Sequence, residues 1–415
     1  MGMNHDAWPP QGNDIIQICI ASDQLEPNYI AAAQWRPQQV IILTTQTERI
    51  RKAAERLKAA LELIGIPSKV IGSLPDSDPA RLRDYALLLV TKLRELDQSI
   101  HLMLNATGGK KLMSMALSQA FERTENASVI YVDSDAHSLF TLHPWQADSF
   151  PMDKGLITIE AALALRGFRK YSSPSDSLDW RNDAIARNQL TNQMSMKLHD
   201  LRYLLRNMNR AATQDLSTLS NLPFYRGNDR PDKASQTILD RVSELGLADI
   251  GSSAQTISFR SEDSRRYLGG QWLEEYVWLA ARKQTDAADC LSGIKVEHIE
   301  NRALDNEIDL LLAVNNRLLM IECKTANLST ANKGNQALYK LDWLRQHLGG
   351  SHATSMLVSV RQLDPPVEKR ARETRTLVLT RQAVMRIGEV IHRWGNNESV
   401  ESLQRWVDTL NEPQH

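Results

Sequence analysis

The chain has 415 residues, 42% of them hydrophobic and 24% charged, with a formal net charge of −1; this is the composition of a globular protein of two or three domains and argues against constitutive coating of nucleic acid, which rests on phosphate neutralisation. Three widely spaced cysteines, Cys19, Cys290 and Cys323, argue against a disulfide framework or a zinc site. No apolar run reaches the roughly 18 residues of a membrane span, and residues 1–13 are polar with no signal-peptide core, so no membrane partner and a cytoplasmic location are expected.

From Ile15 to Phe140 short apolar runs alternate with helical patterns. Strands are predicted at Ile15–Ile20, Val40–Leu43, Ser68–Ile71, Ile100–Leu104 and Ser128–Val132, and helices at Glu48–Ile64, Pro79–Leu96 and Lys111–Arg123. Alternation on this scale implies a Rossmann-like parallel sheet with crossover helices, whose ligands bind beyond the carboxyl ends of the strands. Three segments occupy such positions: Ser22–Asn28, which reads as a loop, Thr44-Thr45, and Asn105–Met113. The last reads Asn-Ala-Thr-Gly-Gly-Lys-Lys-Leu-Met and opens directly into a helix. Gly108 and Gly109 let backbone approach a ligand closely, free N–H groups at the helix start favour an anion, and Lys110 and Lys111 add charge. The glycine–lysine spacing is not that of a Walker A loop. A phosphate-bearing ligand is the physical reading.

His143-Pro144 and Phe150-Pro151 mark an exit from this first domain, set at 1–150. The next region, 151–262, reads helical at Ile157–Gly167 and along Asp183–Ala212, where Arg202, Arg206 and Arg210 form a stripe at helical spacing; such stripes are more often solvated faces than binding surfaces. A helix at Ala234–Leu245 and a strand at Thr256–Arg260 give it a winged-helix-like outline, and a connector between the flanking domains is the expected role.

A third domain, 263–415, opens with an apolar-striped helix around Gln271–Trp278, followed by a strand at Ile294–Ile299. Glu307–Val314 and Arg317–Lys324 are two apolar runs separated by Asn315-Asn316. Asparagine tolerates positive φ, so a two-residue hairpin turn is predicted. Asp309 then faces Glu322, and Glu307 faces Lys324, with opposed Cβ atoms about 5 Å apart. Glu322 and Lys324 share the face of Asp309. Two carboxylates this close repel unless a cation or proton lies between them, and a divalent ion with oxygen ligands suits them. A helix from about Lys333 to Leu348, a strand at Met356–Val360 and a basic stretch (Arg361, Lys369, Arg370, Arg372, Arg375) complete the tail.

Asp309 with Glu322-x-Lys324 on adjacent apolar strands resembles the PD-(D/E)XK nuclease superfamily, and the flanking helices and strands follow its order. The resemblance implies catalytic roles for Asp309, Glu322, Lys324 and Glu274 of the first helix. It implies Mg²⁺ or Mn²⁺ held by Asp309, Glu322 and the backbone carbonyl of Cys323, and Gln336 with Tyr339 is similar to an element seen after the lysine in some members. The Asn105–Met113 segment resembles the signature of CARF domains, the cyclic-oligoadenylate sensors of type III CRISPR systems, with Lys110 at a position commonly threonine. That resemblance implies ligand contacts from Asn105, Thr107, Gly108, Gly109, Lys110, Lys111, Met113, Thr44, Thr45, Gln24 and Asn28. In combination the two resemble single-CARF ancillary nucleases: homodimers that bind a cyclic adenylate, here expected to be tetra-adenylate, and then cleave RNA or DNA. The rival readings are a sensing regulator with a catalytically weak nuclease fold, and a restriction-type DNA nuclease gated by another nucleotide.

Overall fold

The computed structural model describes residues 14–134, 136–145, 149–214, 217–227, 229–284, 289–302, 305–325, 331–350 and 353–411. The polar N-terminal stretch with Pro9-Pro10 lies outside them. The chain forms two compact units, one of residues 1–169 with 298–300, the other of 170–297 with 301–415.

The first unit is built on a seven-stranded sheet. Its elements run β1 (Ile15–Ile20), α1 (Glu26–Trp35), β2 (Gln39–Leu43), α2 (Glu48–Leu63), β3 (Ser68–Ile71), α3 (Pro79–Leu96), β4 (His101–Asn105), α4 (Lys111–Glu122), β5 (Ala127–Asp133), β6 (Ser138–His143), β7 (Ser149–Pro151) and α5 (Ile159–Leu165). The spatial order is β3-β2-β1-β4-β5-β6-β7. Strands β1 to β5 pair in parallel, while β6 and β7 add antiparallel. The order reverses between β1 and β4, which makes their carboxyl ends the switch point of the sheet. The five predicted strands are present within a residue or so, and the predicted helices likewise. The segment Ser22–Asn28 is only partly a loop, because α1 begins at Glu26. Pro27 sits in the first turn of α1, where its missing N–H costs nothing. The Pro-marked exit also differs: Phe150 and Pro151 pair in β7, and the unit continues through α5.

β8 (Phe168–Ser172), which runs from the first unit into the second, leads into three helices, α6 (Leu178–Ala186), α7 (Asn188–Met196) and α8 (Arg202–Gln214), where the sequence reads as one long helical stretch from Asp183 to Ala212. β9 (Leu222–Pro223), α9 (Lys233–Glu244), β10 (Ala248–Ile250) and β11 (Thr256–Phe259) follow, the strands forming a small antiparallel sheet in the order β10-β11-β9. Then come α10 (Glu262–Arg266), α11 (Trp272–Gln284), β12 (Asp289–His298), β13 (Asp305–Val314), β14 (Arg317–Lys324), α12 (Ala331–Leu344), β15 (Ala353–Ser359), α13 (Pro365–Glu373), β16 (Leu377–Thr380), α14 (Ile387–Gly395) and α15 (Val400–Asn411). The main sheet has the order β16-β15-β14-β13-β12-β8. Its core draws on both the middle region and the tail: Met194, Leu204, Met208, Trp272, Val277, Leu310, Ile321, Val358 and Val407 belong to one buried cluster. The middle region does not separate as a compact unit of its own.

Candidate functional site

The hairpin of β13 and β14 turns at Asn315 (φ 49°) and Asn316 (φ 63°), both left-handed as the two-residue turn requires. The ladder pairs Val314 with Arg317 and runs to Leu310 with Ile321, the register expected from the turn. One step further the Asp309 carboxylate accepts the Cys323 N–H at 2.7 Å. Both faces of the hairpin are buried: Leu310, Leu312, Leu319 and Ile321 on one, Leu311, Leu318 and Met320 on the other.

Three charged side chains meet at the open end of this hairpin. Lys324 Nζ lies 2.5 Å from Glu322 Oε1 and 3.7 Å from Asp309 Oδ2. Glu307 lies opposite Lys295 of β12 on the other side of β13, 4.0 Å from its ammonium. The other oxygen of Glu322 takes Lys340 of α12 at 2.7 Å. Glu322 is thus a buried carboxylate gripped by two ammonium groups. Glu274, on the first turn of α11, feels the same cluster. Burial pushes its carboxyl well above the usual carboxylate range, and the Asp309 carboxylate pushes it further. Burial also raises Asp309, with Glu322 adding to the rise and Lys324 opposing it. For Lys324 burial disfavours the ammonium, but Asp309 and Glu322 outweigh burial and the pKa rises.

Three carboxyl groups crowd two lysines, and carboxylates this close need a proton or a cation between them. The donors fit a hard, oxygen-seeking ion that keeps several waters. Among the described residues no three His, Cys, Asp or Glu side chains stand close enough to enclose an ion by themselves. Water or backbone would complete the shell. The Lys324 carbonyl accepts from Val360 N–H on the β15 side, so the peptide groups of Cys323, which point the other way along a pleated strand, face Asp309.

Lys340 carries no signal in the sequence of the kind that marks Glu322-x-Lys324. It comes to Glu322 because α12 packs back over β14. Gln336 and Tyr339 on the same helix are exposed, and Tyr339 lies under the Arg370 guanidinium, 4.9 Å from ring centre. Of the tail cations, Lys369, Arg372 and Arg375 pair with Glu373, Asp408 and Glu401.

The glycine loop of the first unit sits at the β1/β4 switch. A Cβ on Gly108 would collide with the Ile20 carbonyl oxygen and approach Asn28 Nδ2 to 3.2 Å, and Gly109 has φ +85° against the Ile20 side chain. Asn105 is fully buried and organises the loop: its amide donates to the Pro27 carbonyl at 3.1 Å, and its oxygen accepts from the Thr107 N–H (3.1 Å) and hydroxyl (2.7 Å). Thr107 in turn accepts from Val132 N–H at 2.8 Å. Asn28 is buried and donates to the Ile20 carbonyl at 2.9 Å. Thr44 and Thr45 are buried at the end of β2, and Gln24 is exposed. Lys110 pairs with Asp76, Lys111 is exposed, and Met113 points into the core under the loop. Asn105, Asn28 and Met113 therefore shape the loop from beneath, while Gly108, Gly109 and the two lysines form its outer edge.

The family model of the Card1 CARF domain matches residues 16–160, and that of the Card1-like endonuclease domain matches residues 261–397. No curated protein matches the chain in sequence. Among solved structures the chain is similar to protein VC1899 from Vibrio cholerae, at 21% identity and TM-score 0.80, over 92% of this chain and 98% of that one. It is also similar to Can2 from Sulfobacillus thermosulfidooxidans, solved with cyclic tetra-adenylate, at 24% identity and TM-score 0.69 over 92% and 99%. A type III CRISPR defence DNA nuclease activated by cyclic oligoadenylate shares the fold at 18% identity and TM-score 0.51, over 85% and 46%. A sensor loop at the switch of one sheet and a carboxylate–lysine site on the next, each matched by its own domain family, place this chain in the Card1-like family of CARF-domain endonucleases.

Proposed function

We propose that the chain is a metal-dependent endonuclease of type III CRISPR antiviral defence, switched on by a cyclic oligoadenylate, with cyclic tetra-adenylate the expected ring. The observation that carries this reading is the joint presence of two costly arrangements: a glycine loop packed against the β1/β4 switch, and buried Glu322 grouped with half-buried Asp309 and Lys324 on a single hairpin. Buried charge needs a compensating purpose, and phosphodiester hydrolysis supplies one.

Asp309, Glu322 and the Cys323 carbonyl are the groups that would hold Mg²⁺ or Mn²⁺, with Glu274 beside them. Such an ion offsets charge on the scissile phosphate and lowers the pKa of water. Lys324 contributes a fixed positive charge where negative charge develops. Lys340 holds Glu322 from the opposite side and so fixes which way its second oxygen points.

At the sensor end, Gly108 and Gly109 admit backbone to a phosphate at the start of α4, with Lys110 and Lys111 at the rim. Exposed Leu112 and Met115 on α4, 48% and 58% accessible, give an apolar face suited to a second copy, in keeping with a homodimer across which a ring could lie. A ligand shifts activity only through its differential affinity for two arrangements of the protein.

The test is cleavage of labelled RNA and single-stranded DNA with rings of four or six adenylates, with Mn²⁺, Mg²⁺ or EDTA. Cleavage should require both metal and ring. Glu322→Ala should lower the rate at least about a hundredfold, the scale on which such electrostatic groups act, and leave ring binding intact by calorimetry. Equal cutting without any ring would remove the gating, and full activity of Glu322→Ala would remove the site.

A further inference from the structure

The second unit holds a cleft of about 790 Å³. One wall is the segment between α7 and α8 with the first turns of α8, another is Val360–Gln362 beyond β15, and a third is formed by Arg381, Gln382 and Met385. Lys197, Arg202, Arg206, Arg361 and Arg381 line it against a single carboxylate, Asp200, in a chain whose net charge is −1. Arg206 and Arg361 lie near enough that, after burial, the Arg206 charge is what lowers the Arg361 pKa. Like charges gathered around a cleft suit an anion bearing several charges. Among these cations stands Tyr203, 60% exposed, with the Arg202 guanidinium 4.8 Å from its ring centre.

Both main walls are tied to the end of the catalytic strand. Asn209, one turn beyond Arg206 on α8, donates to the Gly269 carbonyl at 2.6 Å and to Thr325 Oγ1 at 3.3 Å, and Thr325 follows Lys324. On the other side Val360 N–H donates to the Lys324 carbonyl at 3.1 Å, and Arg361 is the next residue. We propose that this cleft guides a single strand of nucleic acid into the Asp309–Glu322–Lys324 site, with its phosphates on Arg206 and Arg361 and one unpaired base stacked on Tyr203. The inference rests on the nuclease reading and adds the path that substrate takes. A duplex keeps its base faces stacked within itself and offers Tyr203 nothing, whereas a base in a single strand presents a free face. Arg202 and Arg206 of the α8 stripe thus have a duty beyond solvation, while Arg210 turns to the Phe224 carbonyl.

The test uses the full chain, with and without cyclic tetra-adenylate, in a Glu322→Gln background so that bound strand is not cut. Binding of a fluorescent twelve-nucleotide RNA or DNA is followed by anisotropy across a salt series. Tyr203→Ala should weaken binding by about tenfold, and Tyr203→Phe, which keeps the ring, should not. Arg206→Gln and Arg361→Gln should each reduce the slope of log affinity against log salt by about 0.7. With Glu322 restored, the three substitutions should raise KM far more than they lower kcat. Wild-type affinity and salt slope in both Tyr203→Ala and Arg206→Gln would overturn the cleft as the path. So would a duplex that competes as well as the single strand, or an intact chain that cuts nucleic acid without binding it here. Failure of the nuclease reading looks different: an intact chain that binds strand in this variant-sensitive way and cuts nothing.

Discussion

Gly108 is a position where one methyl group decides whether the sensor loop can close. Its α-carbon faces the Ile20 carbonyl oxygen, a backbone atom that cannot swing aside. Overpacking a well-filled site costs about 1–3 kcal/mol, so Gly108→Ala should lower the thermal midpoint of the first unit and weaken cyclic tetra-adenylate binding together, read by calorimetry. Gly109 beside it is restricted by its positive φ, which only glycine adopts without strain. Both glycines could be recognised from the residue string, because a Gly-Gly pair before a helix start is a local pattern. Lys340 could not. Its approach to Glu322 depends on how α12 folds back, and nothing local to residue 340 states where a helix will pack. The grouping of Lys324 with Asp309 and Glu322 was legible, because the turn and the strand period are local, yet the ion pair of Glu307 with Lys295 was not. Lys295 lies on β12, a strand whose register no turn near the site dictates.

Among the elements, α11 matters most for the chemistry, since it presents Glu274. The residue after it, Glu275, is buried and receives Arg187 through both oxygens, at 2.6 and 3.2 Å. Arg187 lies at the junction of α6 and α7 and also covers the Tyr267 ring at 4.7 Å. Removing one partner of such a buried pair leaves an uncompensated charge and costs about 3–5 kcal/mol. Arg187→Met should therefore lower the melting temperature and depress cleavage through misplacement of Glu274, and adding Glu275→Gln should restore part of the melting temperature. The hairpin that faces α11 was the most legible element: Asn315-Asn316 carries its turn and register in its own sequence. Helix α1 was the least. It is buried on nearly every side, so it shows no amphipathic period, and its Pro27 reads as a loop marker. The Asp183–Ala212 stretch differed in the opposite sense, since a continuous helical pattern does not reveal the breaks that let α6, α7 and α8 turn into one shared core.

At the scale of the whole molecule, sensor and nuclease are read as one thermodynamic system. If cyclic tetra-adenylate favours the arrangement that accepts substrate, then a strand bound by the Glu322→Gln protein must tighten the ring by the same factor that the ring tightens the strand. Calorimetric titration of each ligand in the presence and absence of the other measures both factors; a ring affinity indifferent to bound strand means that the two ends do not communicate. The near-zero net charge agrees with such restraint, because it leaves strand binding to one local patch. No helix among the described residues is long and apolar enough to cross a membrane.

Helix α8 sends Leu204, Leu205, Met208 and Ala211 into the same buried cluster as Leu310, Ile321 and Val407, while Asn209 holds Thr325. The endonuclease family match begins at residue 261, but the compact unit begins at residue 170. What looks in sequence like an exchangeable cassette is therefore not portable. A recombination or proteolytic cut at residue 261 would detach a large share of a common interior and strip the cleft of its wall. The heritable unit of this enzyme is longer than its recognisable signature, and shuffling the nuclease onto a new sensor would require carrying β8 through β11 along with it.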